Sequence, residues 1–466
     1  MPDRRHGVLW LTLGLTISLL LSTGIGYFAL GGEPGAQKRQ AQLGFWAPTI
    51  PVTPRFGDPA PALAPDDTTG QAPTADGVAK ALGAFASDPR FGGKLGLSVI
   101  DAETGDALYG LRADTQVTPA STTKIVTAAA ALSALGPYHR FATRAVAGSA
   151  QGEVVLVGGG DPTLAVGAKA TYPGAARLDA LAKQVTAAAG GPVTKIVVDS
   201  SLFTGPDRGV GWDATVVTDG FVAPVNALTV NGGRLTPGVP SSKPADRTPT
   251  PDLFAGQKFA ELLGVTAPVS RGTAPEGARE LGRVDSAPLQ HIVELMLQLS
   301  DNVIAESLLR HVAVAKGQPT TFEGGQTAVK AILADLGLDP AGHGLLDGSG
   351  LSRQNRISPQ LLTAILHATT GAEHASLRGV LAGLPVAAYS GTLANRFGNS
   401  PAAAGEVRAK TGSLEGVSAL SGVVVTDSGR QLAFAAITDG VPPGGKSRAE
   451  AGLDEIGAAL ARCGCS

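Results

Sequence analysis

Residues 8–30 (VLWLTLGLTISLLLSTGIGYFAL) form a 23-residue run without one charged side chain, and this run limits the chain more than any other feature. A bilayer core about 30 Å thick takes roughly 20 apolar residues as a helix. Only a helix or a closed barrel satisfies its own backbone hydrogen bonds there. A cleaved secretory signal usually has a shorter apolar region, about 7–15 residues, and an A-x-A-like cleavage site. No such site follows Leu30, and no cysteine lies near it to carry a lipid. The run therefore predicts an uncleaved membrane anchor, with Arg4 and Arg5 on the cytoplasmic side and the remaining chain outside. Residues 32–76 hold Pro48, Pro51, Pro54, Pro59, Pro61, Pro65 and Pro73 and no helix or strand period, so they read as a semi-extended tether.

Beyond the tether the chain is long enough for two or three domains, and a hydrophobic fraction of 43% supplies packed cores. Its 37 basic and 39 acidic side chains nearly cancel, which leaves no electrostatic footprint for nucleic acid. Two cysteines, Cys463 and Cys465, exclude a disulfide framework and a zinc finger. The seven histidines form no H-E-x-x-H or H-x-H pair, and no G-x-S-x-G elbow is present.

Apolar runs at 95–100 and 107–109 flank the turn residues Glu103-Thr104-Gly105 and predict two strands. Runs at 417–425 and 432–438, separated by Asp427-Ser428-Gly429, predict a hairpin. Helices are expected near 79–86, over the Ala-rich stretch between Pro119 and Gly136, at 178–188, 255–263 and 448–460, and across 288–315. Further strands are expected at 154–157 and 195–198.

Three short motifs could carry chemistry. In Ser121-Thr-Thr-Lys124 a serine and a lysine share one helical face, one turn apart. A serine hydroxyl needs an adjacent base to become a nucleophile. A lysine serves as that base once burial and a helix N-terminus favour its neutral form. Ser300-Asp301-Asn302 interrupts two apolar helical stretches and can present a hydroxyl and an amide to one cleft. Lys410-Thr411-Gly412-Ser413 precedes the hairpin and reads as a strand, with a lysine and hydroxyls to bind a carboxylate and a glycine to admit a substrate backbone. Singly, these also fit a helix cap, another helix cap and an edge strand with a protective lysine. Together and in this order they are the set S-x-x-K, S-D-N, K-T-G.

On these motifs the chain resembles the low-molecular-mass (class C) penicillin-binding proteins of the D-alanyl-D-alanine carboxypeptidase/endopeptidase type, peptidase family S13. Thr118-Pro-Ala-Ser-Thr-Thr-Lys124, Ser300-Asp-Asn-Val-Ile-Ala-Glu306, Asp347-Gly-Ser-Gly-Leu-Ser-Arg353, Ser286-Ala-Pro-Leu289 and Asp161-Pro-Thr163 carry the resemblance, which spans roughly 80–462. It implies an α+β fold, an α/β sandwich of the penicillin-binding-protein/β-lactamase-like transpeptidase type with a five-stranded, mainly antiparallel sheet. On this reading 1–31 is the anchor, 32–76 the linker, 77–137 and 279–466 the catalytic domain, and 138–278 an inserted mixed α/β domain. The insert is shorter than in members with two inserted domains.

The resemblance implies roles as well. Ser121 would be the acylated nucleophile and Lys124 its base. Ser300 would relay the proton to the leaving amine, and Asn302 would position the acyl carbonyl and Lys124. Lys410 would set the electrostatics of the Ser300 relay and help bind the substrate carboxylate, with Thr411 donating a hydrogen bond. Gly412 and Ser413 would belong to the same substrate-binding strand, and the N–H groups of Ser121 and Ser413 would form an oxyanion hole. The implied substrate is the peptidoglycan stem peptide, with β-lactams as covalent inhibitors and no cofactor. The same residues leave room for a β-lactamase-like hydrolase or a non-catalytic wall-binding module. One decoy, Gly440 to Ser447, satisfies G-x-x-x-x-G-K-[ST]. Only 19 residues follow it, too few for a nucleotide-binding domain, so it reads as a hairpin-to-helix loop capped by glycine and serine.

Overall fold

The computed structural model describes residues 72–238, 243–266, 268–371 and 373–465. The expected anchor at 8–30 and nearly all of the tether lie outside these. Among the described residues no helix is long and apolar enough to cross a membrane.

Two five-stranded sheets organise the folded part. In the first, β1 (Leu95–Asp101) and β2 (Ala107–Leu111) come from one end of the chain, and β8 (Val407–Leu414), β9 (Val417–Val425) and β10 (Gln431–Thr438) from the other. Their order is β2-β1-β10-β9-β8, antiparallel throughout, with Leu95 opposite Thr438 and Lys410 opposite Ser421. Alternation along β10 explains why both faces are covered. Ala433, Ala435 and Ile437 face a helical layer, whereas Leu432, Phe434 and Ala436 face the opposite layer.

The helical layer contains α2 (Thr123–Leu135), α5 (Leu289–Leu299), α6 (Asn302–Ala315), α7 (Phe322–Asp335), α8 (Pro359–Thr370) and the short α9 (Arg378–Gly383). The α2 body is so rich in alanine that it lies buried from Thr123 to Leu132 with neighbours packed closely around it. On the other face, α1 (Ala75–Leu82) packs against α10 (Lys446–Ala461) through Val78, Leu82, Leu453 and Ile456. The Thr74 N–H donates to the Cys465 carbonyl (2.7 Å), tying the start of α1 to the tail, where Cys463 and Cys465 are disulfide-bonded.

The second sheet is built entirely between Ala142 and Asp285: β3 (Ala142–Ala147), β4 (Glu153–Val157), β5 (Lys195–Asp199), β6 (Val269–Arg271) and β7 (Glu280–Asp285), in the order β6-β5-β4-β3-β7. Here β4, β5 and β6 run parallel, and β3 is antiparallel to both β4 and β7. Parallel neighbours need crossover connections. These are α3 (Leu178–Ala188) between β4 and β5 and α4 (Pro251–Leu263) between β5 and β6, whose Leu181, Val185, Ala255 and Phe259 pack on Leu156, Ile196 and Val198.

Several boundaries differ from the sequence reading. The first helix starts at Ala75, because Thr74 accepts from the Gly77 N–H as its N-cap. The helix expected from 255 begins at Pro251, a favoured first helical position. The stretch 288–315, by contrast, is two helices broken at Ser300, where the second motif was expected to interrupt it. The 440–447 segment is a loop entering α10, but its N-cap is Gly445 with no side-chain cap bond, so the serine plays no capping part.

Candidate active site

Ser121 sits in a 3₁₀ turn, Ala120–Thr122, that runs directly into α2 and its second residue, Lys124. Ala120 takes a left-handed φ of 47°, a cost held in place by its neighbours. Two glycines let them come close. A Cβ on Gly350 (φ 85°) would run into the Ala120 carbonyl, and one on Gly412 would stand 2.8 Å from the Pro119 carbonyl. Gly412 was expected to admit a substrate backbone, but what approaches it is the serine turn itself.

The three motifs meet here. The Lys124 Nζ donates to Ser121 Oγ (3.0 Å), Asn302 Oδ1 (2.7 Å) and the Ser349 carbonyl (2.7 Å). Lys410, at mid-strand in β8, donates to Ser300 Oγ (2.9 Å) and to the Thr411 carbonyl (2.9 Å). Both lysines are 0% exposed. Burial pushes the Lys124 amine down to about 8, against the pull of the Glu306, Asp347 and Asp301 charges. Burial and the Lys124 charge push Lys410 well below its ordinary value.

Ser300 closes α5 in the left-handed conformation (φ 54°), and Asp301 N-caps α6 by accepting from the Val303 and Ile304 N–H groups. That turn aims the Ser300 hydroxyl at Lys410 and the Asn302 amide at Lys124. A cleft of about 810 Å³ opens over the site, and Ser121, Ser300, Asn302, Thr411 and Ser413 line it, whereas Lys124 and Lys410 stand behind. Ser413 donates to Glu450 Oε1 (3.0 Å) and Thr411 donates to Thr392 Oγ1 (2.8 Å). The decoy loop also lines this cleft through Val441, Pro442 and Gly444.

Sequence reasoning assigned no role to several contributors. Glu306, one turn beyond Asn302, is fully buried and accepts from the Gly348 (2.9 Å) and Ser349 (2.9 Å) N–H groups. It thereby fixes the loop whose carbonyl receives Lys124, while burial raises its own pKa. Asp347 ties the same loop by accepting from Gly350, Ser352, Asn355 and the Trp212 indole. Tyr172 and Arg234 reach Asp301, and the Phe221 carbonyl accepts from Asn302 Nδ2 (3.0 Å). Glu306 and Asp347 stand inside the motifs that carried the resemblance. Tyr172, Arg234 and Phe221 carry no local signal.

An antiparallel sheet with a K-T-G strand beside a helix-borne serine–lysine pair is the architecture of penicillin-binding enzymes. Penicillin-binding protein 4 from Haemophilus influenzae has this fold, with a TM-score of 0.67 over 81% of this chain and 98% of that one at 24% identity. The chain belongs to the D-Ala-D-Ala carboxypeptidase 3 (S13) family, whose sequence pattern matches residues 78–250 and 243–460. It is 41% identical over 434 residues to a carboxypeptidase of Mycobacterium tuberculosis, covering 91% of this chain and 92% of the relative. It is 32% identical over 496 residues to a D-alanyl-D-alanine carboxypeptidase of Actinomadura, covering 88% of each.

Proposed function

We propose that this chain is a serine D,D-peptidase that removes the terminal D-alanine of peptidoglycan stem peptides through a Ser121 acyl-enzyme. One observation carries the reading: the buried Lys124 amine lies 3.0 Å from Ser121 Oγ, with a pKa lowered to about 8. Near that pH about half of the amine is neutral and able to take a proton. Ser121 Oγ bonds to the carbonyl carbon of the D-Ala-D-Ala bond as its proton passes to Lys124. The C–N bond breaks as Ser300, tuned by Lys410, delivers its proton to the departing amine and takes up in its place the proton that Lys124 removed from Ser121. Water then cleaves the ester and restores the Ser121 hydroxyl. The N–H groups of Ser121 and Ser413 stabilise the oxyanion, Asn302 steadies the acyl group and Lys124, and Thr411 receives the substrate carboxylate. The same chemistry on a D,D cross-link is endopeptidase action.

The wider arrangement belongs to this proposal. The inserted domain, expected at 138–278, extends to Asp285, because β7 pairs with β3 in the second sheet, and it interrupts a catalytic domain that resumes beyond it. Residues 8–30 anchor the protein, and the linker expected at 32–76, which ends before the Thr74 cap of α1, holds it off the extracytoplasmic face of the membrane. β-Lactams acylate Ser121 in place of substrate. Incubation with a fluorescent penicillin followed by peptide mapping tests the reading: the label falls on Ser121 and survives denaturation. A label on another serine, or none, rejects it, and rapid release of hydrolysed antibiotic would identify a β-lactamase instead.

A further inference from the structure

Three hydrogen bonds join the stretch between the first two motifs to the turn that bears Ser300 and Asn302. The Tyr172 hydroxyl donates to Asp301 Oδ2 (2.7 Å), and Arg234 Nη2 donates to the same oxygen (3.2 Å). Arg234 Nη1 also donates to the Tyr172 oxygen (2.6 Å), closing a triangle of three buried side chains. The other carboxylate oxygen, Oδ1, is used by the Val303 and Ile304 N–H groups that begin α6. Asp301 is therefore fixed at both oxygens, at one by its own helix and at the other by residues 129 and 67 positions away. The third bond runs from Asn302 Nδ2 to the Phe221 carbonyl (3.0 Å). A carbonyl accepts only from the NH₂ end of the amide, so this contact decides which end faces Lys124. The oxygen, Asn302 Oδ1, accepts from Lys124 Nζ at 2.7 Å.

We infer that Tyr172 and Arg234 are positioning residues for the acyl-transfer reaction: through Asp301 they hold the Ser300–Asn302 turn in the geometry that aims Ser300 at Lys410 and the Asn302 oxygen at Lys124. The inference rests on the Ser121 acylation proposed above. Its physical basis is the left-handed backbone of Ser300, a conformation that a serine keeps only when its surroundings enforce it. A helix cap alone would satisfy Asp301 Oδ1. It gives no reason to bury a tyrosine and an arginine on Oδ2, where a solvated oxygen would serve the cap as well. The stretch between the motifs is thus part of the catalytic apparatus although it contributes no reacting group.

A merely structural contact and a positioning contact differ in how acylation responds to pH. Displacing the turn withdraws Asn302 Oδ1 from the Lys124 ammonium and so favours the neutral amine. Of the charged groups around Lys124, Glu306, Asp347 and Lys410 lie outside the turn, whereas Asp301 moves with it, and withdrawing its charge favours the neutral amine as well. Acylation of the full-length protein by a fluorescent penicillin is measured from pH 5 to pH 10. Tyr172→Phe removes one hydroxyl on a charged acceptor, and the plateau rate of acylation falls roughly 10-fold. The acid limb moves to lower pH, and the non-covalent affinity for the antibiotic does not change. Arg234→Lys keeps the charge at Asp301 and shows a smaller fall with the same displacement. If Tyr172→Phe fails to fold, Arg234→Lys decides on the same terms. A folded variant with the wild-type rate, or a slower one whose acid limb has not moved, overturns the inference. If the wild-type protein is itself unlabelled at Ser121, the proposed function fails instead.

Discussion

Two buried polar clusters flank the Ser300–Asn302 turn, and they treat charge in opposite ways. Around Asp301 everything is compensated. Two backbone N–H groups, a tyrosine hydroxyl and the Arg234 guanidinium satisfy the carboxylate. Burial works to raise the Asp301 pKa, but the Arg234 and Arg247 charges outweigh it and hold the group at about 2. Around Lys124 and Lys410 the bonded partners are neutral oxygens: two serine hydroxyls, an amide and two carbonyls. Nothing offsets desolvation fully, and both amines lose their protons more readily. A buried charge with full compensation fixes geometry, and one with partial compensation becomes a base. The site uses the first kind to aim the second.

The largest effect is expected in the partly compensated cluster, at the amine that touches the nucleophile. Lys124→Ala should abolish acylation by penicillin, and Lys124→Arg should not restore it, because guanidinium keeps its proton near neutral pH. Ser121→Ala should remove the label while the protein still folds. Acylation by the arginine variant would show that another group takes the proton, and the contrast between the clusters would lose its functional meaning.

Next is the compensated cluster. Asp301→Asn leaves Arg234 buried without its anion, and breaking such a pair by removing one partner costs about 3–5 kcal/mol. Urea denaturation should register that loss. A cost below about 1 kcal/mol would mean that Asp301 is dispensable and that the turn holds itself.

How much of this was legible in the sequence follows the same division. Ser121, Lys124, Ser300, Asn302 and Lys410 lie in motifs whose spacing reports one helix turn, one helix break and one strand. The first sheet was legible because its strands are apolar runs bounded by turn residues, as at Asp427-Ser428-Gly429. In the second sheet β4 and β5 were legible for the same reason. The strands β3, β6 and β7 were not, since ATRAVA, VSR and ELGRVD carry charges or are only three residues long. Helices α7, α8 and α9 were also missed. The α7 segment opens on Phe-Glu-Gly-Gly, and two glycines weaken any helical signal even though Thr321 caps the helix. Tyr172 and Arg234 were beyond reach because their partner Asp301 is distant in sequence, and a lone tyrosine or arginine says nothing about where it docks.

The two clusters should also separate by pH. For Asp301, with a folded pKa near 2 against an ordinary value of 3.8, the unfolded chain binds more protons between those values. Stability is then lost as pH falls through that window, and Asp301→Asn should remove this part of the acid sensitivity. For Lys124 the folded value of about 8 lies below the ordinary 10.5, and again the unfolded chain binds more protons between the two. Stability therefore rises with pH across that window. Relative to Lys124→Met, the wild-type protein should gain about 3 kcal/mol between pH 7 and pH 10.5. A stability difference independent of pH would mean that Lys124 is as well compensated as Asp301.

The smallest effect concerns Lys410 and Thr411, adjacent on β8 and different in exposure. Lys410 is fully buried on Ser300, whereas Thr411 lines the cleft. A carboxypeptidase substrate ends in a carboxylate beside the scissile bond, and a cross-linked one also carries a carboxylate on the D-centre beyond it. Losing one hydrogen bond to such a charged group costs about 1.5–3 kcal/mol, roughly 10–150-fold in kcat/KM. On the proposed function that contact falls to the cleft-lining Thr411 hydroxyl, which would turn to it from Thr392, and the buried Lys410 is left to tune the Ser300 relay. Thr411→Val and amidation of the substrate carboxylate should then fail to add, because both remove the same interaction. Lys410→Ala and amidation should add, because they act on different steps. The opposite pattern, additive for Thr411 and non-additive for Lys410, would place the buried lysine on the substrate as a cation. Its cluster would then share the compensated character of Asp301 once substrate is bound.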